Sequence, residues 1–141
     1  MSQELEKIRD FIDEHHVMSL STTDFKEIST CSLFYAYDKS THSFLVASGE
    51  DTAHILHVKK NPNISGYILL ETKEVGKIQG LQFRGEFIRL VDEDLKKLYF
   101  KTFPYAIVLL PKLWQIKVNY FKMTDNRLGF GKKLIWQDSS L

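Results

Sequence analysis

Two hydroxyl side chains and a histidine stand at the predicted start of a short helix. The three residues are Ser48, Thr52 and His54, and the helix over 51–60 is predicted to end before Asn61-Pro62, because a residue before proline avoids the helical region. The first amides of a helix are unpaired and its N-terminus is electropositive, so this arrangement can bind a phosphate group. The hydroxyls would donate hydrogen bonds to the phosphate oxygens. The alternative interpretation is an ordinary helix cap with a histidine on the surface.

The elements that must position this cluster follow from hydrophobic periodicity. Besides the helix over 51–60, an amphipathic helix is predicted over residues 3–15, another begins at Asp92-Glu93-Asp94, and Pro104 starts a further short one. Strands are predicted at 17–22, 30–37, 43–47, 63–70 and 78–90, and in a last long strand where Trp114, Ile116, Val118 and Tyr120 alternate. Six strands with helices between them favour a closed or partly closed antiparallel barrel, since closure removes exposed edges.

Length and charge exclude several classes of protein. The 141 residues suit one domain, and 19 basic against 18 acidic residues argue against nucleic acid or an anionic membrane as partner. Cys31 is the one cysteine, so an internal disulfide is impossible. His15-His16 and His57 lack companion ligands, so no metal site is predicted. The charged N-terminal segment is not a signal peptide and no apolar run is long enough for a membrane span, which predicts a cytoplasmic protein.

Three segments together carry a resemblance to a known family. They are Ser48 to Asn61-Pro62 with the spacing given above, GLQFRGE at 80–86, and the stretch from Trp114 through TDN at 124–126 and GFGKK at 129–133 to Trp136. With these segments the chain resembles the pyridoxamine 5'-phosphate oxidase-like split-barrel flavoproteins. More narrowly, it is similar to a bacterial subgroup of them without an assigned substrate. The resemblance covers roughly residues 5–136.

The resemblance implies a mainly β (α+β) fold: a six-stranded antiparallel split β-barrel with peripheral helices. It implies one flavin-binding domain over residues 1–141, a homodimer, and FMN in a groove lined by both subunits. The function it implies is an FMN-dependent oxidoreductase or reductase acting on a small molecule, with no catalytic residue identified. The alternatives are a non-catalytic flavin or haem binder on the same barrel, and an interaction module whose cofactor site has decayed.

In the family, residues matching Ser48, Thr52 and His54 hold the FMN phosphate. The better-known oxidases carry Lys or Arg where this chain has His54. A histidine is fully charged only when protonated, and its ordinary pKa is about 6.5. We therefore expect a weak phosphate site whose strength depends on pH.

The resemblance adds Thr30 and Ser32, on the preceding strand, to the cofactor site. Thr30 and Tyr35 take the places of an arginine and a lysine of the oxidases.

Two further polar residues have a functional and an ordinary interpretation. Gln82 is either an amide at the edge of the flavin ring or a solvent-facing strand residue, and the nearby Gly80 would allow the flavin to approach the backbone. Lys132 either reaches the flavin or its substrate, or belongs to a solvated basic tail. Gly85 is predicted to mark a bulge with a change of phase in the strand 78–90.

Overall fold

Eight strands form one antiparallel sheet in the computed structural model, which describes residues 2–138. They are β1 (Val17–Thr23), β2 (Ile28–Phe34), β3 (Ala36–Asp38), β4 (Ser43–Ala47), β5 (Asn63–Leu70), β6 (Gln79–Arg89), β7 (Leu113–Asp125) and β8 (Lys133–Gln137). The strand order is β2-β1-β5-β6-β7-β4-β3, and β8 also pairs with β7. The predicted class, a mainly β split barrel with peripheral helices, is confirmed, but the described chain has eight strands where six were expected.

The split in the barrel lies at Tyr35. Strands β2 and β3 occupy opposite ends of the sheet order although only this residue separates them, so the two edges must meet here. The Tyr35 side chain is buried, and its hydroxyl donates to the carbonyl oxygen of Ile12 at 2.7 Å. The single strand predicted over 30–37 is therefore wrong, because the chain crosses from one edge of the sheet to the other within it.

Three α-helices pack around the sheet within the described residues: α1 (Gln3–Glu14), α2 (Ala53–Lys60) and α3 (Glu93–Thr102). Short 3₁₀ turns follow at Val75–Lys77, Pro104–Leu109 and Asn126–Leu128. The predicted caps are present, since the Asp92 side chain accepts from the amides of Asp94 and Leu95. Helix α2 starts later than the predicted residue 51, because Thr52 is its N-cap. No helix within 2–138 has both the length and the apolar character needed to cross a membrane.

The core is built on a cluster of phenylalanine rings inside the barrel. Phe44 lies 4.7 Å from Phe83 and 6.2 Å from Phe121, measured between ring centroids. All three side chains are fully buried, and β8 adds to this core by packing Trp136 on Phe121. The C-terminal segment is thus a strand of the sheet, because Leu134 and Trp136 alternate toward the core.

A bulge lies between β6 and β7, as predicted at Gly85. Arg84 is opposite Tyr120 but Gly85 is opposite Val118, so Asn119 is an extra residue in β7. Val118 is buried, whereas Tyr120 turns to the other side of the sheet. Tyr120 therefore does not continue the alternation that the sequence predicted.

The change of phase occurs in β7 and not in β6. Leu81, Phe83 and Phe87 alternate into the core on both sides of Gly85, and Ile88 is only partly buried. The phase change expected within 78–90 is therefore wrong. A bulge shifts the strand that carries the extra residue, and here that strand is β7.

Candidate functional site

The junction between β4 and α2 brings the three predicted phosphate residues together. Ser48 follows β4 directly, and its backbone amide donates to the carbonyl oxygen of Lys112 at 3.0 Å. The indole Nε1 of Trp114 donates to the Ser48 carbonyl oxygen at 2.9 Å. Thr52 caps α2 by accepting from the Ile55 amide at 3.4 Å. The backbone of the cluster, which we call the β4–α2 junction (Ser48–His54), is thus fixed by contacts with β7 and the segment before it.

The side chains of the junction bond to one another. The Ser48 Oγ lies 2.5 Å from the His54 Nε2, and the Thr52 Oγ1 lies 3.5 Å from the Ser48 Oγ and 3.4 Å from the His54 Nε2. Two proton arrangements satisfy the shortest contact. Either Ser48 donates to the imidazole, or the imidazole donates to Ser48, whose own proton then remains for another acceptor. The second arrangement is the one that phosphate binding requires.

His54 is held in its neutral form. Burial, and in smaller part the nearby His57, lower the pKa of its imidazole below the ordinary value. The ring is only 9% exposed. The positive charge expected from this residue near neutral pH is therefore absent, and any protonation is shifted toward more acidic pH.

Helix α2 also contacts the sheet through a second buried histidine. The His57 Nδ1 lies 3.0 Å from the Thr22 hydroxyl oxygen of β1, and both side chains are buried. This contact fixes α2 against β1. The residues on either side of Thr22 in that strand, Ser21 and Thr23, point to the opposite side of the sheet. The sequence analysis did not identify this pair, because nothing in the spacing of the two residues predicts their contact.

Three other predicted residues lie on the solvent-facing side of the sheet. This surface, the open face, carries paired positions of five neighbouring strands, namely Thr30 and Ser32 of β2, Ser19 and Ser21 of β1, Ser65 and Tyr67 of β5, Gln82 and Arg84 of β6, and Tyr120 and Lys122 of β7. None of these side chains is buried. Thr30 lies opposite Ser21, with 3.4 Å between the hydroxyl oxygens, and Ser32 lies opposite Ser19. Gln82 lies between Tyr67 and Lys122, and its side chain is exposed.

Two further residues of the sequence analysis, Gly80 and Lys132, have defined places in the structure. The space above Gly80 is filled by Tyr67, since a Cβ there would lie 2.0 Å from the Tyr67 hydroxyl oxygen. Gly80 is thus needed by a side chain of this protein, which accounts for it without a flavin. Lys132 lies in the exposed turn before β8, and its backbone carbonyl oxygen accepts from the Asp125 amide at 3.1 Å.

The open face contains an arginine that the sequence analysis missed. The guanidinium carbon of Arg84 lies 4.2 Å from the centroid of the Tyr120 ring. Two adjacent depressions of about 380 and 260 Å³ share Ser21, Ser65 and Arg84 in their lining. The available signal was the recurrence of polar residues at every second position, as in Ser19-x-Ser21 and Gln82-x-Arg84. That pattern marks a polar sheet face, but it does not show which strands are neighbours.

Solved structures define the class of fold to which the chain belongs. The model is similar to a haem-binding protein from Mycobacterium smegmatis, with a TM-score of 0.79 and 13% identity over 97% of this chain and 59% of that one. It is also similar to a FAD-binding protein from Mesorhizobium loti, with a TM-score of 0.71 and 12% identity over 87% of this chain and 92% of that one. The protein is therefore a split barrel, and at these identities the likeness concerns the fold alone.

Sequence relatives show the family. The chain is 33% identical to a UPF0306 protein of Photorhabdus laumondii over 133 residues, which cover 92% of this chain and 93% of the relative. It is 35% identical to a UPF0306 protein of Cronobacter sakazakii over 136 residues, with 94% of each covered. The chain belongs to the UPF0306 family. A scan against protein-family models gave no match.

Proposed function

We propose that this protein binds FMN through the β4–α2 junction, in a groove completed by a second copy of the chain. The observation that carries the proposal is the meeting of Ser48, Thr52 and His54 at the start of α2. The Ser48 hydroxyl suits a phosphate as a donor, the Thr52 hydroxyl would first have to release the Gly49 carbonyl oxygen to which it donates at 2.9 Å, and the first amides of α2 point the same way along the helix axis. FAD- and haem-binding proteins with the same fold support a cofactor of this kind.

The proposed phosphate site is weak. Neutral hydroxyl hydrogen bonds contribute about 0.5–1.5 kcal/mol each, and a helix N-terminus about 0.3–1 kcal/mol. His54 is neutral, and Thr30 and Tyr35 supply no charge in place of the cations of the oxidases. Tyr35 is also fully engaged elsewhere, because it is buried and bonded to Ile12.

The proposal of a second copy is supported by exposed apolar side chains in the 3₁₀ turn Pro104–Leu109 and at Leu110. Tyr105, Val108, Leu109 and Leu110 are 79–91% exposed, which is unusual for four large apolar side chains within six positions. Contiguous apolar surface of this kind marks an interaction site.

Replacing Val108 and Leu109 by serine should shift the sedimentation coefficient toward the monomer, whereas Val91→Ser, at another exposed apolar position, should not. A monomeric wild-type protein at micromolar concentration with FMN present would contradict the dimer.

Bound FMN would supply hydride or electron transfer, which is the chemistry that the cofactor itself carries. The residues of this chain would hold the phosphate, position the ring and limit the access of water. An FMN-dependent oxidoreductase acting on a small molecule is therefore the leading function.

The experiment that tests the proposal compares FMN with riboflavin, which lacks the phosphate. Ser48→Ala combined with Thr52→Ala should weaken FMN binding by ~1–3 kcal/mol, which is the sum of two neutral hydrogen bonds, and should leave riboflavin binding almost unchanged. Isothermal titration measures both. The matched control is Ser40→Ala with Thr41→Ala, which removes two hydroxyls from the exposed turn before β4 and should change neither affinity. Equal losses for FMN and riboflavin would show that the junction does not hold the phosphate.

A second candidate is a flavin or haem binder that does not turn over. The lack of a cation at the junction favours it, because tight binding of a cofactor phosphate usually uses charge-assisted hydrogen bonds. The visible spectrum of the purified protein, followed by NAD(P)H oxidation with added FMN, separates the two. Flavin or haem bands without turnover indicate the binder, and bound flavin with turnover indicates the enzyme. A colourless protein that FMN does not titrate indicates an interaction module.

A further inference from the structure

Arg84 is the centre of a second polar site, on the open face and separate from the β4–α2 junction. Its neighbours across the sheet are Ser65 of β5 and Tyr120 of β7. The guanidinium stacks on the Tyr120 ring, 4.2 Å from its centroid, and stacking of this kind fixes the plane of the arginine fork. Tyr120 lies on this face only because of the bulge at Asn119. Bulges often re-aim a side chain at a functional site.

The charge of Arg84 is not neutralised by the protein. Within residues 2–138 its side chain has no ion pair and no hydrogen bond. Glu86, the next residue on this side of β6, forms no ion pair with it.

Arg89, on the same strand, differs in this respect. It stacks on Trp114 at 4.7 Å, but its guanidinium is bound to the carboxylate of Glu50. The strand thus carries two arginine–aromatic pairs, and only the Arg84 pair leaves its hydrogen-bond donors for a ligand.

The surroundings of Arg84 suit an organic anion. The larger depression, of about 380 Å³, combines Arg84 with the hydroxyls of Ser21 and Ser65 and with the exposed side chain of Ile28. Its volume falls within the range of small-molecule sites, about 300–1,000 Å³. Arginine presents parallel donors that match carboxylate and phosphate oxygens, and the hydroxyls can add further hydrogen bonds. Ile28, which is exposed, offers apolar contact for the rest of the molecule.

We propose that the open face binds a small organic anion, a carboxylate or a phosphate monoester, through the guanidinium of Arg84. The hydroxyls of Ser21 and Ser65 flank the anionic group, and the body of the ligand lies in the depression toward Ile28. The site does not depend on the proposed function, because it requires neither FMN nor the β4–α2 junction.

The test uses benzoate and phenyl phosphate as anionic probes and benzyl alcohol as the neutral one. Isothermal titration of the full chain, without added FMN, should show binding of both anions and much weaker binding of the alcohol. Arg84→Gln should weaken the binding of both anions about 10- to 100-fold, because it removes a charge-assisted contact. Arg84→Lys should cause a smaller loss, since it keeps the charge without the fork. Tyr120→Leu, which leaves Arg84 in place but removes the stacking, should weaken binding severalfold.

Matched variants separate this site from the other surfaces. Arg89→Gln removes an arginine that is stacked but already paired, so it should leave anion binding unchanged. Ser40→Ala with Thr41→Ala, in the exposed turn before β4, should also leave it unchanged. Arg84→Gln with wild-type affinity, or equal losses in Arg84→Gln and Arg89→Gln, would each overturn the proposal. So would a wild-type protein that binds neither anion at ~10 mM.

Discussion

The β4–α2 junction and the open face are both polar, but their side chains are used in opposite ways. At the junction, Ser48, Thr52 and His54 bond to one another and cap a helix, and the imidazole is buried and neutral. On the open face, Gln82 and Arg84 are exposed, and Arg84 forms no ion pair within residues 2–138. Ser48, Thr52 and His54 are therefore pre-organised without charge of their own, and the carboxylate of the nearby Glu50 is paired with Arg89, whereas the open face supplies charge without a fixed network. Spacing in the sequence led to the first region, although the unpaired cation lies in the second.

The largest effect on stability is expected from disturbing the bulge that builds the open face. A Cβ at Gly85 would lie 2.4 Å from the carbonyl oxygen of Lys117, which is backbone and cannot swing away. Gly85→Ala should therefore lower the free energy of unfolding by ~1–3 kcal/mol, measured by urea denaturation. Gly76→Ala is the control, because its Cβ would meet nothing within 4 Å. Its effect should stay within about 0.5 kcal/mol. Equal stabilities of the two variants would show that the bulge tolerates a side chain.

A smaller loss of stability is expected when helix α2 loses its N-cap. Thr52→Ala removes the oxygen that accepts from the Ile55 amide, and loss of such a cap costs about 1 kcal/mol. The corresponding change on the open face, Thr30→Ala, removes a hydroxyl that contacts only Ser21 at 3.4 Å. Thr30→Ala should therefore change the free energy of unfolding by no more than about 0.5 kcal/mol. Similar losses for both variants would remove the distinction between a structural and an exposed hydroxyl.

The neutral state of His54 predicts a pH dependence of stability. Its pKa is lowered in the folded protein, so the unfolded chain binds more protons once the pH falls below about 6.5. Stability should therefore fall as the pH decreases through this region, until the folded-state pKa is passed. Burial lowers the pKa of His15 and His42 as well, so the informative quantity is the difference between wild type and His54→Asn. The melting temperature of the variant should depend less on pH between about 5 and 7.5. An identical slope would indicate that folding does not lower the pKa of His54.

The smallest effect on stability is expected for Arg84 itself. An exposed cation–π contact contributes about 0.5–1 kcal/mol, so Arg84→Gln should change the free energy of unfolding by no more than that. Urea denaturation of this variant checks that any loss of anion binding is a loss of ligand contacts. A loss well above ~1 kcal/mol would mean that Arg84 supports the sheet and that the open face is structural.

Much of the molecule was predictable where the signal is local. Asp92 caps α3 and Pro104 begins a 3₁₀ turn, as their chemistry predicts. The strand Asn63–Leu70 has the predicted bounds. The cluster of Ser48, Thr52 and His54 was also accessible, because all its members lie within one turn and the start of one helix.

Other features were hidden because they depend on pairing between distant strands. Tyr35 interrupts a run of β-forming residues since the barrel must split there, and no property of Tyr35 itself signals this. The spacing predicted that Tyr120 continues the alternation of Trp114 and Val118, but the extra residue Asn119 turns the Tyr120 side chain to the other face of the sheet. Both errors arise from periodicity arguments, which assume that a strand keeps one register along its length.

The sequence by itself determined the fold class, the helix starts and the residues that meet at the β4–α2 junction, because caps and alternation act over a few neighbouring residues. Only the tertiary structure decided that His54 is buried and neutral, that Tyr67 covers Gly80, and that Arg84 stacks on Tyr120 beside Ser65. The physical reason is that burial and contact across a sheet depend on the register of strands that are far apart in the chain. That register is fixed by packing of the whole barrel around its phenylalanine core.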